Sequence, residues 1–271
     1  MTDSIVSNPY AVPASNLQAL PDAAGVPTLE EALSRRYDFG ISDLLGEAWT
    51  RTKGTKGIII GGFVVFYAAL FAVMNVLGIL LTIFGVAGIA GMGLLGGADD
   101  GSLALGAMAA FFFGSMLVGF LATAMVYPFL AGINMVGIRA AAGQPVRFGE
   151  VFAHFGRTVP VIITALLMTL LVVVGYMLFV VPGIYLSVAY ILAIPLVVER
   201  GLSPWQALEA SRKAINQHWF KVFGLFLLLG VLMSLSMIPL GIGLLWTIPL
   251  MVVSLGVLYR TIFGVRPVAT N

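Results

Sequence analysis

Hydrophobic positions fall into six long blocks of about 20 residues, the length needed to cross the hydrocarbon core of a bilayer. They cover Gly57–Phe84, Leu105–Ile138, Val159–Val181, Ile184–Val198, Phe220–Ile238 and Ile242–Tyr259. Pro182-Gly183 separates the third block from the fourth, and Pro239-Leu240-Gly241 the fifth from the sixth. Proline lacks an N–H and glycine accepts turn dihedrals, so both sites predict tight hairpins. Pro128, Pro195 and Pro249 each lie in the second block of a pair and predict kinks.

A different pattern precedes each pair. Ile41, Leu44, Leu45, Ala48 and Trp49 recur at helical spacing, as do Phe148, Val151, Phe152 and Phe155. The third instance is GLSPWQALEASRKAINQHW, residues 201–219. Ser203 suits the N-cap, Pro204 the first helical position, and Gln206 completes a capping box. Trp205, Leu208, Ile215 and Trp219 form one stripe. Gln206, Glu209, Lys213 and Asn216 lie opposite, with Glu209 and Lys213 spaced as an i,i+4 pair. The chain thus reads as three units, about 39–140, 147–200 and 202–264, each an amphipathic segment followed by a hairpin. Flanking them are a disordered tail at 1–38 and a short C-terminal tail at 265–271. Asn8-Pro9-Tyr10 in the first tail is either a docking motif or incidental.

Composition agrees with the blocks. Of 271 residues, 60% are apolar and 10% charged, and mean hydropathy is +1.04. Soluble domains carry about a quarter charged residues, so most of this surface faces something other than water. The formal charge of +2 is too small to argue for nucleic acid. Its distribution is more informative. With six spans, Arg35, Arg36, Arg51, Lys53, Lys56, Arg139, Arg147, Arg157, Arg200, Arg212, Lys213, Lys221, Arg260 and Arg266 all fall on one side. Lys and Arg translocate poorly, which predicts a multi-pass protein of the bacterial inner membrane with both termini cytoplasmic. Only Asp99 and Asp100 sit on the other side, either as a cation site or simply solvated.

Candidate chemistry is sparse. No cysteine is present, and His154 and His218 form no zinc pattern. Between the span ends there is no Asp, Glu, Lys, Arg or His, which argues against a proton path. Asn75, Ser115, Thr123, Asn134, Thr164, Thr169, Ser187, Ser234, Ser236 and Thr247 are the polar groups there. Asn75 is the costliest to leave unpaired. These observations predict no enzyme activity, no cofactor and no metal.

Residues 182–224, PGIYLSVAYILAIPLVVERGLSPWQALEASRKAINQHWFKVFG, carry a family likeness. Pro182-Gly183, the Glu199-Arg200 pair closing a span, and Ala207, Leu208 and Ser211 on the amphipathic helix are its motif. On these the chain resembles the YciC-like bacterial inner-membrane proteins, clearly over about residues 140–264. More distantly it resembles the membrane domain of some glycerophosphodiester phosphodiesterases, whose catalytic domain has no counterpart here. The resemblance implies a membrane fold and no assigned activity.

The expected fold is all-α: a polytopic bundle of six transmembrane helices with three cytoplasmic interfacial amphipathic helices. The expected role is a non-enzymatic scaffold or adaptor in envelope maintenance. Trp49, Phe152, Trp205, Leu208, Ile215 and Trp219 are its expected contacts with membrane lipids, a protein partner or a second copy. The alternative is a transporter or lipid-handling protein.

Overall fold

A computed structural model describes residues 26–94 and 101–267. Among these all regular structure is helical, without strands. The principal helices are α1 (Leu29–Ser34), α2 (Ile41–Arg51), α3 (Lys56–Leu94), α4 (Gly101–Ala141), α5 (Thr158–Leu178), α6 (Val180–Ala189), α7 (Pro204–Asn216), α8 (Trp219–Met237) and α9 (Leu244–Phe263). Six stretches are long and apolar enough to cross a membrane: 56–83, 108–141, 148–178, 180–200, 219–237 and 244–263. The polytopic all-α reading is therefore right, and the chain has the makings of a multi-pass membrane protein.

Helix α9 lies at the centre. From Pro249 to Tyr259 every residue except Met251 is buried. It crosses α4 at two glycines, where a Cβ on Gly256 would strike the Gly137 carbonyl and one on Gly137 would strike that of Val252. Only backbone fits such a crossing, the usual reason for small residues between apolar helices. The bulk around it comes from Ile133, Ile138, Leu225, Leu258, Tyr259 and Phe263.

The C-terminus of α9 is closed by arginines from elsewhere in the chain. A helix end leaves its last carbonyls without partners and carries partial negative charge. Arg35 Nη2 donates to the carbonyls of Thr261 (2.7 Å) and Ile262 (2.9 Å). Arg200 donates to Phe263 O and, at 2.9 Å, to Pro27 O. Arg260 forms a bidentate pair with Glu47 at 2.7 and 2.8 Å and also donates to Ala141 O. Arg35, Arg200 and Arg260 thus meet at this end of the bundle.

The structure corrects several expectations. The tail assigned to 1–38 is ordered from Val26 onward. Thr28 caps α1 in a capping box with Glu31, Ala32 is fully buried and Tyr37 nearly so. The remainder of that tail, with Asn8-Pro9-Tyr10, lies outside the described residues, as do Asp99 and Asp100. The second amphipathic segment is not an α-helix but two 3-10 turns, Phe148–Val151 and Phe155–Arg157. Gly149 and Gly156 weaken a helix there. The segment is instead fixed by Glu150 pairing with Arg139 and by Phe152 and Phe155 packing on Phe129, 6.0 and 4.9 Å between ring centroids.

Pro182-Gly183 is not the turn between α5 and α6 either. The break is at Phe179, in extended backbone, and Pro182 stands in the first turn of α6, where its missing N–H costs nothing. The block Ile184–Val198 is itself interrupted at Tyr190–Leu192 and ends in a π-helical turn, Leu196–Arg200. The turn at 239–241 is as expected, with Leu240 and Gly241 at φ +54° and +77°.

The Glu47–Arg260 pair supplies a pH test. Hydrogen bonds from Arg260 hold the Glu47 carboxyl below the usual glutamate range, against the smaller opposing effect of burial. A carboxyl depressed in the folded state stabilises above its unfolded value, about 4.3, and loses that contribution as pH falls through the folded value. Thermal melts of the solubilised protein should therefore decline in acid below about pH 4.3. Glu47→Gln should start about 1 kcal/mol less stable, the scale of a partly exposed pair, and lose less on acidification. Parallel acid profiles for the two proteins would refute this role.

Candidate functional site

Helix α7 begins as its sequence predicts. Gln206 Oε1 accepts the Ser203 N–H at 3.3 Å, and Pro204 opens the helix. Glu209 pairs with Arg212 at 2.8 Å and Lys213 at 3.4 Å on the exposed face. The opposite face is fully engaged by the bundle. Ala207, Leu208, Ala210, Ser211, Ala214 and Ile215 are all buried. Ser211 Oγ donates to Ala189 O at 2.7 Å and accepts the Leu192 N–H at 3.2 Å, satisfying two groups freed by the break in the fourth block.

This placement divides the six expected contact residues. Leu208 and Ile215 are 2% and 0% exposed, so no partner or lipid can reach them. Trp219 is half-buried, stacked on Phe223 with its indole N–H donating to Tyr185 O at 3.3 Å. Trp49, Phe152 and Trp205 remain exposed, Trp205 most of all. They sit on α2, the 3-10 turn segment and α7, and the structure does not gather them into one patch.

The motif residues prove to be fastenings. Gly183 packs on Gly175, and a Cβ there would strike the Tyr176 ring. Glu199 accepts from Tyr259 Oη at 2.8 Å and from the Arg266 N–H at 3.0 Å, and pairs with Arg200 at 3.0 Å. Arg200 reaches Pro27 and Phe263, and Ser211 ties α7 to α6 as described. Pro182, Gly183, Glu199, Arg200 and Ser211 converge on no common cavity.

A cavity lies elsewhere. A partly open space of about 370 Å³ lies between all six apolar segments, lined by Phe63 and Tyr67 from α3, Tyr127, Leu130 and Asn134 from α4, and Met168 from α5. Ser187, Tyr190, Ile191 and Ile194 continue it, with Phe226 and Met233 from α8 and Ile248, Met251, Val252 and Leu255 from α9. Its volume falls in the range of small-molecule sites. No charged side chain lines it. Ser187 spends its hydroxyl on Ile184 O within its own helix, at 2.8 Å. Asn134 has no such partner among the described residues, so its amide can donate and accept toward an occupant. The arrangement suits a neutral apolar group with one polar atom and offers no nucleophile, base or metal ligands; among the described residues no cluster could hold a metal.

Sequence reasoning had named Asn134 only among intramembrane polar groups and favoured Asn75. Asn75 bonds Phe71 O of its own helix at 2.7 Å and faces outward. Nothing in residue spacing distinguishes the two, because the cavity arises from where helices from all three hairpins meet. Comparison with known proteins adds nothing: no family model matches, and neither curated proteins nor solved structures yield a match.

The glycine contact gives a direct test of this packing. Gly183→Ala should destabilise by about 1–3 kcal/mol, the usual scale of overpacking. Because Tyr176 is half-exposed, adding Tyr176→Ala should restore most of that loss in thermal melts. A neutral Gly183→Ala would contradict the close approach.

Proposed function

We propose that the chain is a non-enzymatic protein of the bacterial inner membrane, with both termini cytoplasmic, that binds and handles an amphipathic lipid. The observation that carries this reading is the uncharged cavity among the six apolar segments, with the free amide of Asn134 on its wall. An uncharged lining cannot compensate a phosphate or carboxylate removed from water. The occupant is therefore the neutral part of a lipid, an acyl or prenyl chain with a nearby carbonyl or hydroxyl. Any charged head stays outside, toward the basic end. The charge distribution along the chain supports cytoplasmic termini, because Lys and Arg translocate poorly.

The adaptor reading now rests on Trp49, Phe152 and Trp205 alone, which are exposed on the basic side, and takes second place. If the likeness to the YciC-like proteins reflects kinship, the motif residues would be shared as fold determinants, not as a reactive site.

The test is lipid retention. The purified protein, analysed by native mass spectrometry, should carry a co-purifying lipid and melt at higher temperature when bacterial lipid extract is added. Ile191→Trp, which fills the cavity, should lose that lipid. Asn134→Leu should weaken it about fivefold, equivalent to roughly 1 kcal/mol for one hydrogen bond. A wild-type protein that carries no lipid, and whose melting ignores added lipid, would overturn the reading.

A further inference from the structure

Helix α7 does not cap the α5–α6 hairpin at its end; it runs along its side. Beyond the Ser211 bonds to Ala189 and Leu192, Tyr185 Oη donates to Asn216 Oδ1 at 2.9 Å, and Trp219 Nε1 donates to Tyr185 O at 3.3 Å. Near the start of α7, a Cβ on Gly201 would lie 3.0 Å from Arg157, just before α5. Leu208 then packs among Leu167, Leu171 and Leu186. The two helices thus run side by side in the same direction.

The outer surface of this arrangement is polar. The side chains of Glu209, Arg212 and Lys213 are 36%, 35% and 57% exposed. Helix α1 lies against α7, with Tyr37 Oη donating to Ala214 O and Gln217 Nε2 to Leu33 O. Lys221, two residues beyond Trp219, pairs with Asp38, which is 70% exposed. Charged side chains are strongly excluded from hydrocarbon, so this layer belongs at the level of water and lipid head groups. Tyr185, bonded directly to it, belongs at the same depth.

From Tyr185 to the break at Phe179 is six residues, about 9 Å of helix rise. The hydrocarbon core is about 30 Å thick. The hairpin tip therefore cannot reach the opposite surface, although α5 alone, at 21 residues, has the length to do so. Its tip is Met177, Leu178, Phe179, Val180 and Val181, 64–77% exposed and wholly apolar.

We infer that the α5–α6 hairpin is re-entrant: it lies obliquely in the leaflet on the basic side, with its tip Met177–Val181 among the acyl chains of that leaflet. Four crossings then remain, still an even number, so both ends of the hairpin stay on the basic side, as the charge distribution requires. What changes is the depth of the tip, and with it the membrane this hairpin fits. It presents an apolar wedge to one leaflet only.

The absence of cysteine makes the test clean. Phe179→Cys and Val181→Cys, each at an exposed position, are spin-labelled and reconstituted in phosphatidylethanolamine–phosphatidylglycerol vesicles. Collision with oxygen and with a water-soluble nickel chelate then reads depth. A re-entrant tip gives high oxygen and low nickel accessibility at both positions, within the hydrocarbon. Asp100→Cys, which span parity assigns to the opposite side, serves as the reference for that side. If labels at 179 and 181 instead collide with nickel as readily as the label at 100, the tip has reached the opposite surface and the inference fails. Using two positions guards against one variant that does not reconstitute.

Discussion

The final carbonyls of α9 have no partners within their own helix, and the way distant parts of the chain satisfy them ties the rest of the architecture together. Arg35 arrives from the segment before α2 and Arg200 from the end of the second hairpin, while Arg260 of α9 itself reaches across to Ala141 O at the end of α4. A guanidinium has five N–H donors in a planar fork, which lets one side chain serve two or three acceptors. Glu47 and Glu199 then neutralise two of these cations while holding α2 and the Arg266 backbone in place. One polar knot therefore joins five parts of the chain that apolar packing alone would leave free to slide.

Much of this was legible in the sequence, for definite reasons. The six apolar blocks, the cap at Ser203 with Pro204 and Gln206, the Glu209–Lys213 pair and the turn at Leu240-Gly241 are local, and local chemistry decides them. The placement of the basic residues on one side follows from span parity. What could not be read was which surface each stripe meets. Leu208 and Ile215 have the spacing of a membrane-facing stripe, yet the same spacing serves a stripe buried in the bundle, Leu208 in a cluster with Leu167 and Leu186 and Ile215 in the main core. Pro182 is compatible with a turn and equally with the first turn of a helix. Phe152 and Phe155 kept helical spacing but pack on Phe129 from a segment of 3-10 turns, with Phe148 against Phe152, because interhelical contact outweighs weak local propensity.

The candidate site was illegible for a related reason. Its lining comes from all three hairpins, and none of those residues carries reactive chemistry that would stand out. Asn134 becomes distinctive only when the partners around it are known. The motif that carries the family resemblance, by contrast, stood out in the sequence yet maps to fastening points. Residues of a membrane fold can be conspicuous because they hold helices together, while the binding surface is built from ordinary apolar side chains.

The most direct test of this account is hydrogen exchange on Arg200→Met, followed by mass spectrometry in detergent. Removing the guanidinium uncaps Phe263 and releases Pro27 together, and it leaves the Glu199 carboxylate without its nearest cation. The account predicts faster exchange at the end of α9, around residues 26–38 and along the π-helical turn, with α3 unaffected. Protection unchanged at both ends of the chain would show that the arginine knot is incidental and that apolar packing alone sets the arrangement.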